Sequence, residues 1–333
     1  MTDKPTITAL RPYSEPAPGA LTLSNDRWPS LIVAQGPRAE ERFLEFFTAQ
    51  IRNKNTREAY FRAVSRFFEW CQNRGLALDD IRPVHVATYI EGFTVGLSDP
   101  SVKQHLAAIR MLFDWLVIGQ IVDVNPASAV RGPKHVVKKG KTPVLTAEEA
   151  RQLLDSIPTD SLVGLRDRAL IGTMLYSFAR VSATVGMLVQ DYYPQGKRCW
   201  LRLHEKGGKF HDVPCHHKAE EYLDAYIAAA GLKDQPKTPL FRSTRGRTNQ
   251  LTAQGMSRVD SFRVVQRRAK TAGLKGSVSN HSFRATGITV YLENGGSLET
   301  AAHIAAHESP RTTKLYDRTA DNITLEEIER IRF

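Results

Sequence analysis

Apolar residues recur every three or four positions through much of the chain, which predicts amphipathic helices. The first such stripe consists of Phe43, Phe46, Phe47 and Ile51. A second helix is expected to take its cap from Asn55 or Thr56 and to stop at Gly75, and a short one follows over 84–93. Another is expected after Asp99, with Pro100 in its first turn. The pattern therefore predicts a small helical bundle over 38–130.

The second half of the chain mixes helical periodicity with one stretch of alternation. Thr146 and Glu149 are spaced as a capping box, and a buried helix is expected to end near Phe178. Apolar and polar residues alternate on both sides of Gly207-Gly208, which predicts a β-hairpin. One further helix is expected after Asn280, and another is expected to carry His303 and His307 and to stop near Pro310. This half is therefore predicted to be α+β, with a small antiparallel sheet.

Composition marks the remaining boundaries. Residues 1–37 are rich in Pro, Ser, Thr and Gly and are predicted to form a flexible leader, although an arm that orders on a partner has the same composition. Residues 131–145 combine Pro and Gly with several Lys and Arg, which predicts a basic interdomain linker. A catalytic domain over 146–318 follows. The tail 319–333 has a helical stripe at Leu325, Ile328 and Ile331, which could pack on its own domain or dock on another protomer.

The chain is basic, with 46 Lys and Arg against 35 Asp and Glu and a net charge of +11, which favours a polyanionic partner. A solvated helix face is a sufficient explanation for any single basic residue. Their number on the predicted helices and linker favours contacts with DNA phosphates. The candidate DNA-contacting residues are Arg52, Lys54, Arg57, Arg62, Arg66, Lys103, Arg110, Lys138, Lys139, Lys141, Arg267 and Arg268.

Several classes of protein are not supported. The three cysteines form no Cys-x-x-Cys pair, and no apolar run reaches the length of a membrane span, so a cytoplasmic protein is expected. Gly140-Lys141-Thr142 is not a phosphate-binding loop, because His135 stands where the first glycine is needed. His303 and His307 lack the glutamate of a zinc-protease motif, since Ile304 occupies its place. We therefore expect neither a cofactor nor a metal.

The candidate chemistry lies near the C-terminus. His281 and Arg284 are three residues apart and share one helix face, and Tyr316 follows His307 by nine residues. Two histidines, a guanidinium and a phenol suit nucleophilic attack on a phosphodiester, although a half-buried core tyrosine is the ordinary explanation for any single tyrosine. This order, His-x-x-Arg, then His, then Tyr, resembles the C-terminal motif of the tyrosine site-specific recombinases, the phage integrase family.

The resemblance extends to two further motifs. Arg180-Val181-Ser182 follows a buried helix, as a phosphate-binding arginine does in that family, and Lys206 matches the family's hairpin lysine better than Lys209 does. The matched set is Arg180, Lys206, His281, Arg284, His307 and Tyr316. The similarity runs from about Arg38 to the C-terminus. Three positions depart from the family pattern: Ala183 replaces an acidic residue, Ala285 a second histidine, and Ala306 a glycine.

The resemblance implies a mainly α protein, with a helical SAM-like N-terminal core-binding domain and an α+β catalytic domain. It implies that Tyr316 attacks DNA to form a 3′-phosphotyrosyl bond, while the two arginines and His307 bind the phosphate, His281 assists proton removal and Lys206 protonates the 5′ oxygen. The implied partners are double-stranded DNA with an inverted-repeat site, a homodimer on each site, a homotetramer in the synapse and accessory DNA-binding proteins. The alternatives are a type IB topoisomerase and a non-catalytic architectural protein of the same fold.

Overall fold

The computed structural model describes residues 28–94, 96–134, 140, 142–205, 208–246 and 248–317. The chain divides into two compact units, Met1–Val136 and Val137–Phe333. Their boundary falls inside the segment 131–145 that was predicted as the linker. The predictions for Lys138, Lys139, Lys141, Lys206 and the tail 319–333 concern residues outside the described part.

The described part of the first unit is helical. Its α-helices are α1 (Ser30–Val33), α2 (Pro37–Glu45), α3 (Lys54–Gln72), α4 (Pro83–Thr94) and α5 (Asp99–Ile118). A π-helical turn, Phe46–Gln50, continues α2, and both phenylalanines at its start are buried. Helices α3 and α5 pack against each other around Phe67, Phe68 and Phe113, all at most 1% exposed. Burial of several aromatic side chains of this size supplies much of the driving force for folding the unit.

Two predictions for this unit were wrong in detail. The cap of α3 is Asn53, not Asn55 or Thr56, because Asn53 has an extended backbone and its Oδ1 accepts the N–H groups of both later residues, at 3.0 and 3.2 Å. The predicted flexible leader also extended too far. Residues 30–33 form α1, and Leu31 and Ile32 are buried in the bundle core, where burial of two adjacent large apolar side chains offsets part of the conformational entropy that the segment loses. Residues 1–27 lie outside the described part.

The second unit combines helices with two small sheets. Its described helices are α6 (Ala147–Asp155), α7 (Leu162–Ser177), α8 (Val181–Val185), α9 (His217–Ala229), α10 (Arg258–Thr271), α11 (Asn280–Glu293), α12 (Leu298–Ile304) and α13 (Pro310–Lys314). The capping box predicted at Thr146 and Glu149 is confirmed. Helix α7 is buried along almost its whole length between α9 and α11. It is therefore the central element of this unit.

The sheets are antiparallel. Strands β1 (Tyr192–Gln195), β2 (Arg198–His204) and β3 (Phe210–Pro214) form the larger one in that order, and β4 (Arg242–Thr244) pairs with β5 (Leu251–Gly255). The hairpin of β2 and β3 was predicted, whereas β1 and the second sheet were not, because these strands are three to five residues long and only partly buried. The predicted mainly α architecture with a small antiparallel sheet is confirmed.

No helix within the described ranges is long and apolar enough to cross a bilayer.

Candidate active site

Arg180 is placed by a sharp turn at the end of α7. The helix stops at Ser177, and Phe178 adopts a left-handed conformation with φ of +54°. The chain then reverses, and Arg180 becomes the N-cap residue of α8. Its side chain is 37% exposed, and Nη1 donates to Oε2 of Glu205, which is only 6% exposed. An exposed guanidinium thus stands beside a buried carboxylate.

Arg284 is the most deeply buried cation of this region, at 1% exposure. It projects from α11 and donates to two main-chain carbonyls, Nη1 to Phe178 O and Nη2 to Ala305 O. Burial lowers the pKa of its guanidinium to about 10, and the nearby charge of Arg180 acts in the same direction. The side chain still carries its charge at neutral pH. It joins the end of α7, helix α11 and the segment after α12.

Tyr316 and His281 are in direct contact. The phenol Oη lies 2.9 Å from Nε2 of His281. The tyrosine is 7% exposed, and its main chain is fixed because its carbonyl accepts from Thr289 Oγ1 at 3.0 Å and its N–H donates to Thr313 O at 2.9 Å. Burial lowers the pKa of His281 and raises that of Tyr316. Both groups are therefore neutral at neutral pH.

His307 lies beside the same phenol, on an element that differs from the prediction. Helix α12 ends at Ile304, so His307 is not on the helix of His303, and Pro310 opens α13 instead of stopping a helix. Proline fits the first turn because that position needs no hydrogen-bonded N–H. The intervening turn requires φ of +47° at Ala306, which explains why a glycine would suit this position.

The His307 ring stacks on Tyr316, with ring centroids 5.9 Å apart and planes 6° from parallel. Its Nδ1 lies 2.8 Å from Thr313 Oγ1. Burial, reinforced by the charges of Arg284 and Arg180, lowers the pKa of His307 to about 4. The imidazole is therefore neutral at neutral pH, and since its hydrogen bond within the described residues is made by Nδ1, the Nε2 edge is available to a ligand.

The described structure thus brings together five of the six predicted catalytic residues, namely Arg180, His281, Arg284, His307 and Tyr316. The sixth, Lys206, lies outside the described residues. Lys209 is exposed, with Nζ 4.0 Å from Glu308 Oε1. A cavity of about 570 Å³ opens beside the cluster, lined by Arg180, Glu205, Lys209, Phe210, His211, Ala306, His307, Glu308 and Thr312.

Sequence reasoning missed Glu205, Thr289 and Thr313. Each is a common residue type whose importance comes from contacts with residues distant along the chain, so no local motif identifies it. Ala183 and Ala285, two of the positions that depart from the family pattern, are fully buried in the apolar core. Neither side chain offers a polar contact to the cluster.

The nine described basic residues among those predicted to contact DNA fall into two groups. Four have intramolecular partners: Arg57 donates to Ile51 O, Arg110 to the carbonyls of Ala127 and Val130, and Arg267 and Arg268 both pair with Asp167. The exposed ones in the described part of the first unit are Arg52, Lys54, Arg62, Arg66 and Lys103.

Comparison with known proteins agrees with this architecture. The family model described as the phage integrase family matches residues 143–322, and the model of the phage integrase N-terminal SAM-like domain matches 41–119. The first match covers more than half of the chain. The chain belongs to the phage integrase family. It is accordingly a tyrosine recombinase, and neither the topoisomerase nor the architectural alternative is favoured.

Curated relatives cover most of the chain. Tyrosine recombinase XerD of Chlorobaculum tepidum is 27% identical over 285 residues, which is 83% of this chain and 90% of that protein. Tyrosine recombinase XerD of Corynebacterium glutamicum is 29% identical over 284 residues, 81% of this chain and 89% of that protein.

Solved structures share the fold. The XerH recombinase in a post-cleavage complex with its palindromic difH substrate has a TM-score of 0.67 at 18% identity and covers 92% of this chain and 91% of its own. A lambda integrase dimer bound to a core site has a TM-score of 0.65 at 19% identity and covers 86% and 79%.

Proposed function

We propose that this recombinase cleaves and rejoins DNA at a specific site through a covalent bond between Tyr316 and a 3′ phosphate. The observation that carries the proposal is the 2.9 Å contact between Tyr316 Oη and His281 Nε2, beside two arginines. A nucleophile, a proton acceptor and permanent cations in one buried cluster are what attack on a phosphodiester requires.

The reaction follows from this arrangement. Tyr316 Oη attacks phosphorus and passes its proton to neutral His281 while the bond to the 5′ oxygen breaks. The guanidinium groups of Arg180 and Arg284 neutralise the non-bridging oxygens, and His307 donates to the phosphate. Lys206, assigned from its motif alone, supplies the proton that the 5′ oxygen takes up. Because the product is again a phosphodiester, the 5′ hydroxyl of another strand reverses the attack without an external energy source.

DNA binding is assigned to exposed basic residues. Arg52, Lys54, Arg62, Arg66 and Lys103 on the first unit and the linker lysines Lys138, Lys139 and Lys141 serve as phosphate contacts. Arg267 and Arg268 share the single carboxylate of Asp167 with Arg166, so a positive surplus remains there for DNA. Arg57 and Arg110 use their donors on main-chain carbonyls, and we assign them a structural role.

The assembly is proposed from the relatives. Lambda integrase is known as a dimer on a core site and as a tetramer on a Holliday junction. By analogy, two protomers bind each inverted-repeat site, four form the synapse, accessory DNA-binding proteins assist, and the tail 319–333 docks on the next protomer. Such an enzyme works on DNA in the cytoplasm.

A nicked suicide substrate tests the proposal, because loss of the short cleaved fragment traps the covalent intermediate. Wild type should give a covalent protein–DNA band on a denaturing gel, and Tyr316→Phe should give none while it binds the same DNA with unchanged affinity. Tyr291→Phe is the matched control, since it removes one phenolic oxygen from α11 and keeps the ring that packs against Phe178. Joined products from two duplexes distinguish a recombinase from a topoisomerase. Tight binding by wild type with no covalent band would reject the proposal.

A further inference from the structure

Glu205 is held in place by the hairpin and by burial. It directly follows β2, and its main-chain N–H donates to Lys209 O at 2.8 Å, which closes the end of the hairpin. Its side chain is 6% exposed and its carboxylate accepts from Arg180 Nη1. A carboxylate this buried is stable as an anion only when a cation or several donors compensate its charge. The contact with Arg180 supplies that compensation.

The two arginines of the cluster are held in different ways. Arg284 is fixed by the carbonyls of Phe178 and Ala305 and is almost fully buried. Arg180 is 37% exposed, and its contact within the described structure is with Glu205. A long, partly exposed arginine side chain populates many rotamers, and fixing one of them for a ligand costs conformational entropy. Glu205 removes that freedom before DNA arrives.

We propose that Glu205 is a positioning residue, whose carboxylate holds the Arg180 guanidinium in the orientation that binds the scissile phosphate. The inference rests on the proposed function. Position 183, three residues after Arg180, cannot do this, because it is an alanine buried in the apolar core. The carboxylate comes instead from the hairpin, from the residue directly before Lys206.

The geometry leaves room for the substrate. A guanidinium has five N–H donors, and Glu205 engages Nη1, so the remaining donors can bind phosphate oxygens. The same carboxylate also favours the charged form of Arg284, whose pKa it raises against the effect of burial. Both effects strengthen the phosphate site although the carboxylate itself is negative.

If Glu205 instead blocked the phosphate site, its removal would change the cleavage rate in the opposite direction. If Glu205 occupied the place of the phosphate in the DNA-free protein, it would have to leave before cleavage, and its removal would accelerate the reaction. The positioning role predicts that removal slows the reaction at saturating DNA. The sign of the change in rate therefore distinguishes the two.

The experiment measures single-turnover cleavage of the suicide substrate at saturating DNA, DNA affinity and the melting temperature. The variants of the full chain are Glu205→Gln, Glu205→Asp and, as a matched control, Asp212→Asn. Asp212 also pairs with an arginine on the same hairpin, Arg202, with Nε–Oδ1 at 2.9 Å, but it does not line the cavity. Glu205→Gln keeps the size of the side chain and removes its charge.

We expect Glu205→Gln to lower the cleavage rate at least tenfold with the DNA affinity changed less than threefold, Glu205→Asp to recover part of the rate, and Asp212→Asn to match wild type. A wild-type or faster rate in Glu205→Gln would overturn the inference. The inference would also be overturned if the cleavage rate, the DNA affinity and the melting temperature all fell together in both Glu205 variants. That result would indicate a purely structural role. If wild type itself forms no covalent band, the proposed function fails; if only the Glu205 comparison fails, the proposed function stands.

Discussion

The hydroxyl of Tyr316 and Nε2 of His281 lie 2.9 Å apart, and burial changes the proton affinity of the two groups in opposite directions. The pKa of the histidine is lowered and that of the phenol is raised, in both cases chiefly by desolvation. The resting pair is therefore neutral, with an imidazole able to accept the phenolic proton. Bound phosphate and the two arginines must favour the phenolate for transfer to occur.

The pH dependence of cleavage should follow from this pair. Because the pKa of His281 is lowered from its ordinary 6.5, the imidazole that accepts the proton is neutral at pH 7 and becomes protonated only at more acidic pH. The single-turnover rate should therefore be flat near neutrality and fall as pH drops below about 6.5 and through the folded-state pKa. It is measured on the suicide substrate from pH 5 to 8. In His281→Ala the rate should be about 100-fold lower and lose this acidic decline; an identical decline in the variant would assign it to another group.

His307 should make stability depend on pH. Its pKa of about 4 lies below the ordinary 6.5, so the unfolded chain takes up this proton first as pH falls. The stabilising contribution is complete above pH 6.5, declines between 6.5 and about 4, and does not change further below that. Carboxylates titrate in the lower part of this window, so the useful quantity is the difference in melting temperature between wild type and His307→Gln. As pH falls from 7 to 4.5, the melting temperature of wild type should decrease relative to that of His307→Gln. A pH-independent difference would contradict the assignment.

Sequence reasoning identified the cluster because its members lie in short motifs on strongly patterned helices. His281 and Arg284 share a face by helical spacing alone, and the end of α7 near Phe178 was predicted from its apolar run. The position of His307 was not predicted correctly. Helix α12 ends at Ile304, three residues before His307, and Ala306 adopts a left-handed conformation that helix propensities do not predict. Glu205 was missed because its ion pair spans 25 positions in the chain. Contacts of that kind depend on the tertiary fold.

Asp167 should be a strong contributor to the stability of the second unit. This carboxylate is fully buried and pairs with Arg166 at 2.5 Å, Arg267 at 3.0 Å and Arg268 at 2.8 Å. Asp167→Asn would leave buried guanidinium charge uncompensated, which costs about 3–5 kcal/mol. Urea unfolding of the full chain should show the loss. The exposed pair of Arg202 and Asp212 provides the control, since Asp212→Asn should cost no more than about 1 kcal/mol. Equal stability of the two variants would mean that solvent compensates the Asp167 site.

Gly287 should be required for the packing that places Arg180. It lies on α11 against the end of α7, and a Cβ there would stand 2.2 Å from Leu175 O and 2.7 Å from Phe178 Cδ1. The main-chain oxygen of Leu175 and the buried ring of Phe178 cannot move freely, so Gly287→Ala must separate α7 from α11. The same movement would disturb the bond from Arg284 to Phe178 O and the turn into Arg180.

We expect Gly287→Ala to lose about 1–3 kcal/mol of stability, through overpacking, and to cleave the suicide substrate at least tenfold more slowly while it remains folded at 20 °C. Gly92→Ala is the matched helical control, because nothing lies within 4 Å of its added methyl group. That variant should keep the wild-type cleavage rate and gain up to about 1 kcal/mol, since alanine is the better helix former. Urea unfolding and single-turnover cleavage measure the two effects separately. Wild-type stability and rate in Gly287→Ala would show that α7 and α11 can move apart without displacing Arg180.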